Sequence, residues 1–256
     1  MKILGLGHSH IVAIAKGCYE LQNRGVKFRG APVVSRFLYL FDPEVAPTLA
    51  PGERETEPQL NPRLTEILAQ ERPDLVLLSI GGNEHIALSV LRQHGRVDFI
   101  LGEQPDLALD EGATMLTEAA IRETLRERMS ETCDILVALR RATAAPLVCI
   151  EPPPPLPDAQ ILAYPKEFFR RVADPDRLSP EIFRYKMWRV QSGIYRDLCA
   201  AHDIAFASVD GRFIAPPGVL ARDAWGADAT HANTLFGEAM VEQAIRLMEA
   251  RTAAGG

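Results

Sequence analysis

Cysteine is sparse in this chain of 256 residues. Cys18, Cys133, Cys149 and Cys199 are scattered, with no paired spacing for zinc or redox chemistry. They read as buried, reduced thiols. No apolar run approaches the roughly 20 residues that a membrane-spanning helix needs. Positive charge is not in excess either: the formal net charge is −6, which argues against a general nucleic-acid or anionic-membrane surface. The N-terminus lacks the uninterrupted apolar stretch of a secretory leader, since Gly-His-Ser-His follows a very short apolar run. It reads instead as the first core strand of a cytoplasmic protein. Internal repeats and composition shifts are absent too, so the expectation is one domain over 1–256, with a loop insertion at 156–180. The remainder is ordinary globular material, with 47% apolar and 24% charged residues.

What is present is organised around Lys2-Ile-Leu-Gly-Leu-Gly-His-Ser-His10 and the helix-compatible segment after it. A short apolar run ending in glycines, then a serine, then a helix is a strand–turn–helix. At the carboxyl end of a parallel strand a side chain faces the crevice where open α/β sheets bind ligands. The following helix points free N–H groups and the positive end of its dipole at the same place. Ser9 is therefore a candidate nucleophile; its plainer use is to cap that helix.

Strands and helices then alternate. A second strand is expected over Arg36–Phe41, an exposed loop over 43–62, and a helix from Pro62 to Glu71 with Leu64, Ile67 and Leu68 inward. Arg72–Ile80 is the clearest buried strand and runs through Gly81-Gly82-Asn83-Glu84-His85 into a helix reaching Leu91. Val97–Leu101 reads as a short strand or an apolar anchor. A long helix is expected from Glu111 to about Leu139, with Met115, Ala119, Ile121, Leu125 and Met129 inward. Pro146–Ile150 is a buried strand ending in Glu151 and four prolines. Helix is expected from Pro180 to Ala201, strand over Ile204–Val209, and a final helix from His231 to about Ala250. This alternation predicts a parallel sheet covered on both faces, a three-layer α/β/α sandwich. The junctions at Gly7, Gly81–Asn83 and Pro152–Pro155 all follow strands and should gather on one edge.

Asp228-Ala-Thr-His231 lies far down the chain. An Asp three residues before a His in a loop can turn back and accept the imidazole Nδ1–H, leaving Nε2 to take a hydroxyl proton. The plainer readings are an N-cap for Asp228 and a solvent-exposed first-turn residue for His231. Asn83 offers a side-chain NH₂ and Gly82 a backbone N–H; with the Ser9 amide they could form an oxyanion hole, or Asn83 could cap its own helix.

In order and spacing, Gly7-His8-Ser9, Gly81-Gly82-Asn83-Glu84 and Asp228-Ala-Thr-His231 resemble the Gly-Asp-Ser, Gly-x-Asn-Asp and Asp-x-x-His blocks of the SGNH (GDSL-type) hydrolase superfamily. The resemblance implies a flavodoxin-like sandwich that hydrolyses carboxylic esters (esterase, lipase or O-deacetylase type) through a serine acyl-enzyme, without a cofactor or metal. It assigns Ser9 as nucleophile, His231 as base and Asp228 as its orienter, with Asn83 and the Ser9 amide donating to the oxyanion. His8 and Glu84 stand where the family has Asp, and the second-block glycine has no convincing match, Gly52 being the residue in the expected interval. The implied partner is a small-molecule or glycan-linked ester.

His8, His10 and His85 read as packing or hydrogen-bonding residues around the turns. With Glu84 they look a little like metallophosphoesterase motifs, but the bridging aspartates of two-metal catalysis are missing. An acyltransferase or a non-catalytic ligand-binding relative would use the same pocket. The proline run reads as a rigid loop or a substrate wall, Trp188 as a core anchor, and Trp225 as a loop packer that could line the pocket.

Overall fold

The computed structural model describes residues 1–28, 30–47, 60–92, 95–164 and 177–254. Five strands form the central sheet: β1 (Lys2–Gly7), β2 (Val34–Tyr39), β3 (Leu75–Ser79), β4 (Leu147–Ile150) and β5 (Ala205–Ala207). All pair in parallel, in the order β2-β1-β3-β4-β5, which is the flavodoxin-like doubly wound order. The register sets Gly7 against Tyr39 and Ser79, and Ile150 against Ala207, so the carboxyl ends share one edge.

Alternation along the strands divides the interior in two. Ile3, Leu75, Leu77, Val148 and Ile150 pack on one face with α1 (Ile11–Asn23) and α8 (Thr234–Ala254). Leu4, Leu6, Val76, Leu78, Leu147 and Cys149 pack on the other, with α2 (Pro62–Glu71), α4 (Glu118–Arg128), α5 (Ser130–Ala142) and much of α7 (Glu181–Ala201). Period-two side-chain direction in strands that are buried on both faces produces this division. Leu64, Ile67 and Leu68 are the buried stripe of α2, as expected. Two short helices complete the set: α3 (Glu84–Ser89) and α6 (Asp158–Ala163). No helix among the described residues is long and apolar enough to cross a membrane.

Three expectations need correction. The long helix over Glu111–Leu139 is instead a strand, Thr114–Leu116, followed by α4 and α5. Thr114–Leu116 pairs in parallel with Val97–Phe99 outside the main sheet, and the Thr117 hydroxyl caps α4 by accepting from Ala120 N at 3.2 Å. Met115 and Ala119 are exposed, while Ile121, Leu125 and Met129 are buried. The final helix starts at Thr234 because the Asn233 side chain, not Asp228, accepts from the amides of Leu235 (3.0 Å) and Phe236 (3.3 Å). Leu91 lies beyond α3, which ends at Ser89. Within the 156–180 stretch α6 is formed, while 165–176, and 48–59 of the 43–62 loop with Gly52, lie outside the described residues.

α1 and α8 touch backbone to backbone. A Cβ on Gly17 would lie 2.0 Å from Glu238 N, and one on Gly237 would lie 1.8 Å from the Ala13 carbonyl oxygen. Only hydrogen fits at either place. Overpacking a fixed backbone contact costs about 1–3 kcal/mol or more, so Gly237→Ala is expected to lower unfolding stability by at least about 2 kcal/mol. Urea denaturation checks this; a variant as stable as the parent would show that the two helices separate freely.

Candidate active site

The site is assembled from the ends of β1 and β3 and the loop before α8. Gly7 closes β1 against β3: a Cβ there would meet the Ser79 carbonyl oxygen at 2.4 Å and Ile11 Cβ at 2.8 Å. The chain turns through His8, Ser9 and His10 into α1. His8 N donates to Ser79 O (2.9 Å), and the His8 Nδ1 accepts from Gly81 N (3.0 Å). The His8 ring rests on Phe41 with centroids 4.7 Å apart. Its pKa is lowered, chiefly by burial, against the pull of Glu131.

Asp228 and His231 form a closed pair. The Asp228 Oδ1 accepts from the amides of Thr230 (2.8 Å) and His231 (2.7 Å), and its Oδ2 lies 2.7 Å from His231 Nδ1. Burial would raise this carboxyl, but the hydrogen bonds from the His231 ring and from the two amides outweigh it and hold it well below the usual carboxylate range. A carboxylate acceptor places a proton on Nδ1, so that in the neutral ring Nε2 is the acceptor. That Nε2 is buried and has no hydrogen-bond partner among the described residues. The loop is held in place by Gly226 N to His231 O (2.8 Å) and by Gln160 of α6, which donates to the carbonyls of Gly226 and Asp228 at 3.1 Å each.

Ser9, Asp228 and His231 all line one cleft of about 770 Å³, together with Val12, Tyr39 and Trp225. Among the described residues the Ser9 hydroxyl makes no capping bond; His10 occupies the N-cap position of α1, with no side-chain bond to the helix. Nor does the hydroxyl bond to His231 in this state, since Nε2 is unpartnered. The Ser9 amide has no acceptor among the described residues, so it is an available donor.

On the β3 side the outcomes differ. Asn83 does not cap α3; its Oδ1 lies 2.9 Å from His10 Nε2, and its NH₂ has no partner among the described residues. Gly82 requires correction as an oxyanion donor. Its N–H donates to Glu84 Oε2 at 2.9 Å within the turn and is not offered to the cleft. The longer Glu84 arm explains this, reaching back to the turn while also accepting from Gln191 Nε2 (3.1 Å) and the Thr132 hydroxyl (3.1 Å). Gln191 in turn accepts from the His85 amide (2.7 Å) and faces His85 Nδ1 (3.2 Å). Nothing local in the sequence marks Gln191, because both of its partners lie 106 and 107 residues away in the chain. Among the described residues no three His, Cys, Asp or Glu side chains are placed to hold a metal ion.

The proline run is buried and does not wall the cleft. Pro152 O accepts from Trp188 Nε1 (3.0 Å), and Pro155 O accepts from Leu220 N (2.9 Å). Trp188 is fully buried. Trp225 both anchors its loop, through Nε1 to Leu220 O (2.7 Å), and lines the cleft.

No family model matches the sequence, and neither does any curated protein. Among solved structures, the chain is similar to the periplasmic domain of the Salmonella ser. Paratyphi A lipopolysaccharide acetyltransferase, with 12% identity, 94% of this chain and 81% of that one covered, and a TM-score of 0.49. It is also similar to the M. smegmatis aryl esterase, with 16% identity, 98% of each chain covered and a TM-score of 0.42. A GDSL-like lipase from Bacteroides thetaiotaomicron matches at 11% identity, over 96% of this chain and 88% of that one, with a TM-score of 0.42.

Two histidines at this edge are wholly enclosed. Burial pushes His10 down to about 4 and His85 down to about 3, so both are neutral in the folded protein at pH 7. In the unfolded chain each titrates near the ordinary value of about 6.5. Below that value the unfolded state binds more protons, so stability falls as pH drops from about 6.5 toward 4, each ring adding up to about 1.4 kcal/mol per pH unit. Glu151, raised by burial, acts in the opposite sense. His85→Asn is therefore expected to flatten the acid limb of urea-derived stability by about one proton; an unchanged slope would contradict a neutral, buried His85.

Proposed function

We propose that this protein is a serine hydrolase of the SGNH type, acting on a carboxylic ester. The observation that carries the reading is the Asp228–His231 pair at 2.7 Å, with an unpartnered Nε2, in the same cleft as Ser9. Catalytic hydrogen bonds are often open before substrate binds and close in the Michaelis complex.

In the proposed reaction His231 Nε2 takes the Ser9 proton as Oγ attacks the ester carbonyl. Asp228 keeps the ring in the required tautomer and stabilises the imidazolium that forms. The tetrahedral oxyanion is met by the Ser9 amide and the Asn83 NH₂. Collapse releases the alcohol, which takes its proton from His231 and leaves an acyl group on Ser9. Water, deprotonated by His231, then releases the acid. The cleft wall suits an ester with an apolar or ring-bearing portion against Val12, Tyr39 and Trp225, within the class of small-molecule or glycan-linked esters. A cytoplasmic setting fits the four unpaired cysteines.

Ser9→Ala is expected to reduce turnover of a p-nitrophenyl acetate probe by at least about 10³-fold, with the fold intact by circular dichroism. Asp228→Asn should cost about 10²–10⁴-fold through the wrong tautomer. A fluorophosphonate should label Ser9 in the parent protein and not in His231→Ala. Full turnover in Ser9→Ala would end the assignment.

A further inference from the structure

His10 immediately follows the proposed nucleophile, yet it does not face the substrate cleft. Its ring is fully enclosed and connects two parts of the site. Nε2 lies 2.9 Å from Asn83 Oδ1 on the β3 turn, and the ring packs against the His231 ring with centroids 4.9 Å apart and planes inclined at 62°. An amide oxygen only accepts, so Nε2 carries the proton and Nδ1 is bare. That Nδ1 is buried without a partner among the described residues, so the Asn83 contact is the single side-chain hydrogen bond the ring makes.

Space around the ring is equally restricted. A Cβ on Gly82 would come 3.1 Å from His10 Cδ2 and 3.0 Å from Pro152 Cγ, and Gly82 holds a φ of +101° that favours glycine. The glycine beside Asn83 thus leaves room for the imidazole. With Oδ1 fixed by His10, the carboxamide cannot rotate about its last bond, and its NH₂ is the end left free.

We infer that His10 is a positioning residue: it clamps the Asn83 carboxamide so that its NH₂ donates to the oxyanion, and its flank sets the plane of the His231 ring. This rests on the ester-hydrolase reading given above. The ring does not exchange protons with substrate. Preorganised donors are worth most when they need no reorientation as charge develops, and the imidazole provides that fixation from the residue next to Ser9.

The test uses His10→Phe, which keeps a ring and loses the donor, and His10→Gln, whose amide nitrogen can reach the place of Nε2. Asn83→Ala and the His10→Phe/Asn83→Ala double variant complete a cycle. Rates are read from p-nitrophenyl acetate turnover and from phosphonylation of Ser9 by a fluorophosphonate. Expected are an Asn83→Ala loss of about 10²-fold or more in kcat and a His10→Phe loss of about 10-fold or more, with KM little changed. His10→Gln should recover most of that loss, and the double variant should be no slower than Asn83→Ala. A parent protein whose Ser9 is not labelled overturns the hydrolase reading and this inference with it. A labelled parent with His10→Phe at the parental rate, or a double variant in which the two losses multiply, overturns this inference alone. Nitrogen-15 NMR of the parent checks the clamp without any variant: Nε2 protonated and Nδ1 bare supports it, and the opposite tautomer overturns it.

Discussion

The contact between Gly17 and Gly237 is the constraint on which the arrangement depends. Ser9 lies just ahead of α1 and His231 just ahead of α8, more than two hundred residues apart in sequence. Parallel strand order places both helices on one face of the sheet, but only the missing side chains at Gly17, against Glu238 N, and at Gly237, against the Ala13 carbonyl, let them approach so closely. The distance between their beginnings, and so between the hydroxyl and the imidazole, is set by that contact. Arg24 and Glu238 add an ion pair with 2.5 and 3.0 Å bonds at the same crossing, an exposed interaction that contributes far less than backbone contact. Packing, not charge, fixes the spacing.

On the opposite side α7 performs a comparable task through buried polar groups. Gln191 joins His85 to Glu84, Tyr195 donates to the Ile80 carbonyl at 2.9 Å, and Lys186 pairs with Asp98 at 2.9 and 3.1 Å where both are fully enclosed. Breaking such a pair leaves an uncompensated charge, so α7 tolerates little sliding against the β3 turn or the Val97–Phe99 strand. Asp98 also accepts from the amides of Phe99 and Asp110, both at 2.8 Å. The β3 turn that presents Asn83 is therefore held from beneath by a network whose members have little freedom to re-pair.

The sequence made the frame legible because apolar runs bounded by glycine and proline mark buried strands almost unambiguously; β1, β3 and β4 are of that kind. Asp228 and His231 were legible because a local Asp-x-x-His needs no tertiary information to close. Four features were not. The segment 111–117 carries helix-compatible composition, but pairing with Val97–Phe99 decides its structure, and no local pattern encodes that pairing. Gly82 looked free because its competitor, Glu84, sits two residues on, and only the turn geometry brings the carboxylate back onto the amide. Gln191 and His10 had no visible partners, since each bonds to a residue far away in the chain.

Two of the residues at which the chain differs from the motifs it resembles, His8 and Glu84, acquire a common sense once those bonds are seen. His8 and His10 flank Ser9 and both reach the turn after β3: His8 through Nδ1, accepting from Gly81 N, and His10 through Nε2, donating to Asn83. The strand ends are thereby tied on either side of the serine, which lines the cleft with Asp228 and His231 instead. His8 Nδ1 accepts the Gly81 amide as an imidazole nitrogen, and burial lowers the pKa of both rings. The Glu84 carboxylate is directed into Gly82 N, Gln191 and Thr132 and away from the cleft. The two turns are thus tied together by the rings on either side of the serine, while the half-buried Glu84 carboxylate is engaged within its own turn and by Gln191 and Thr132.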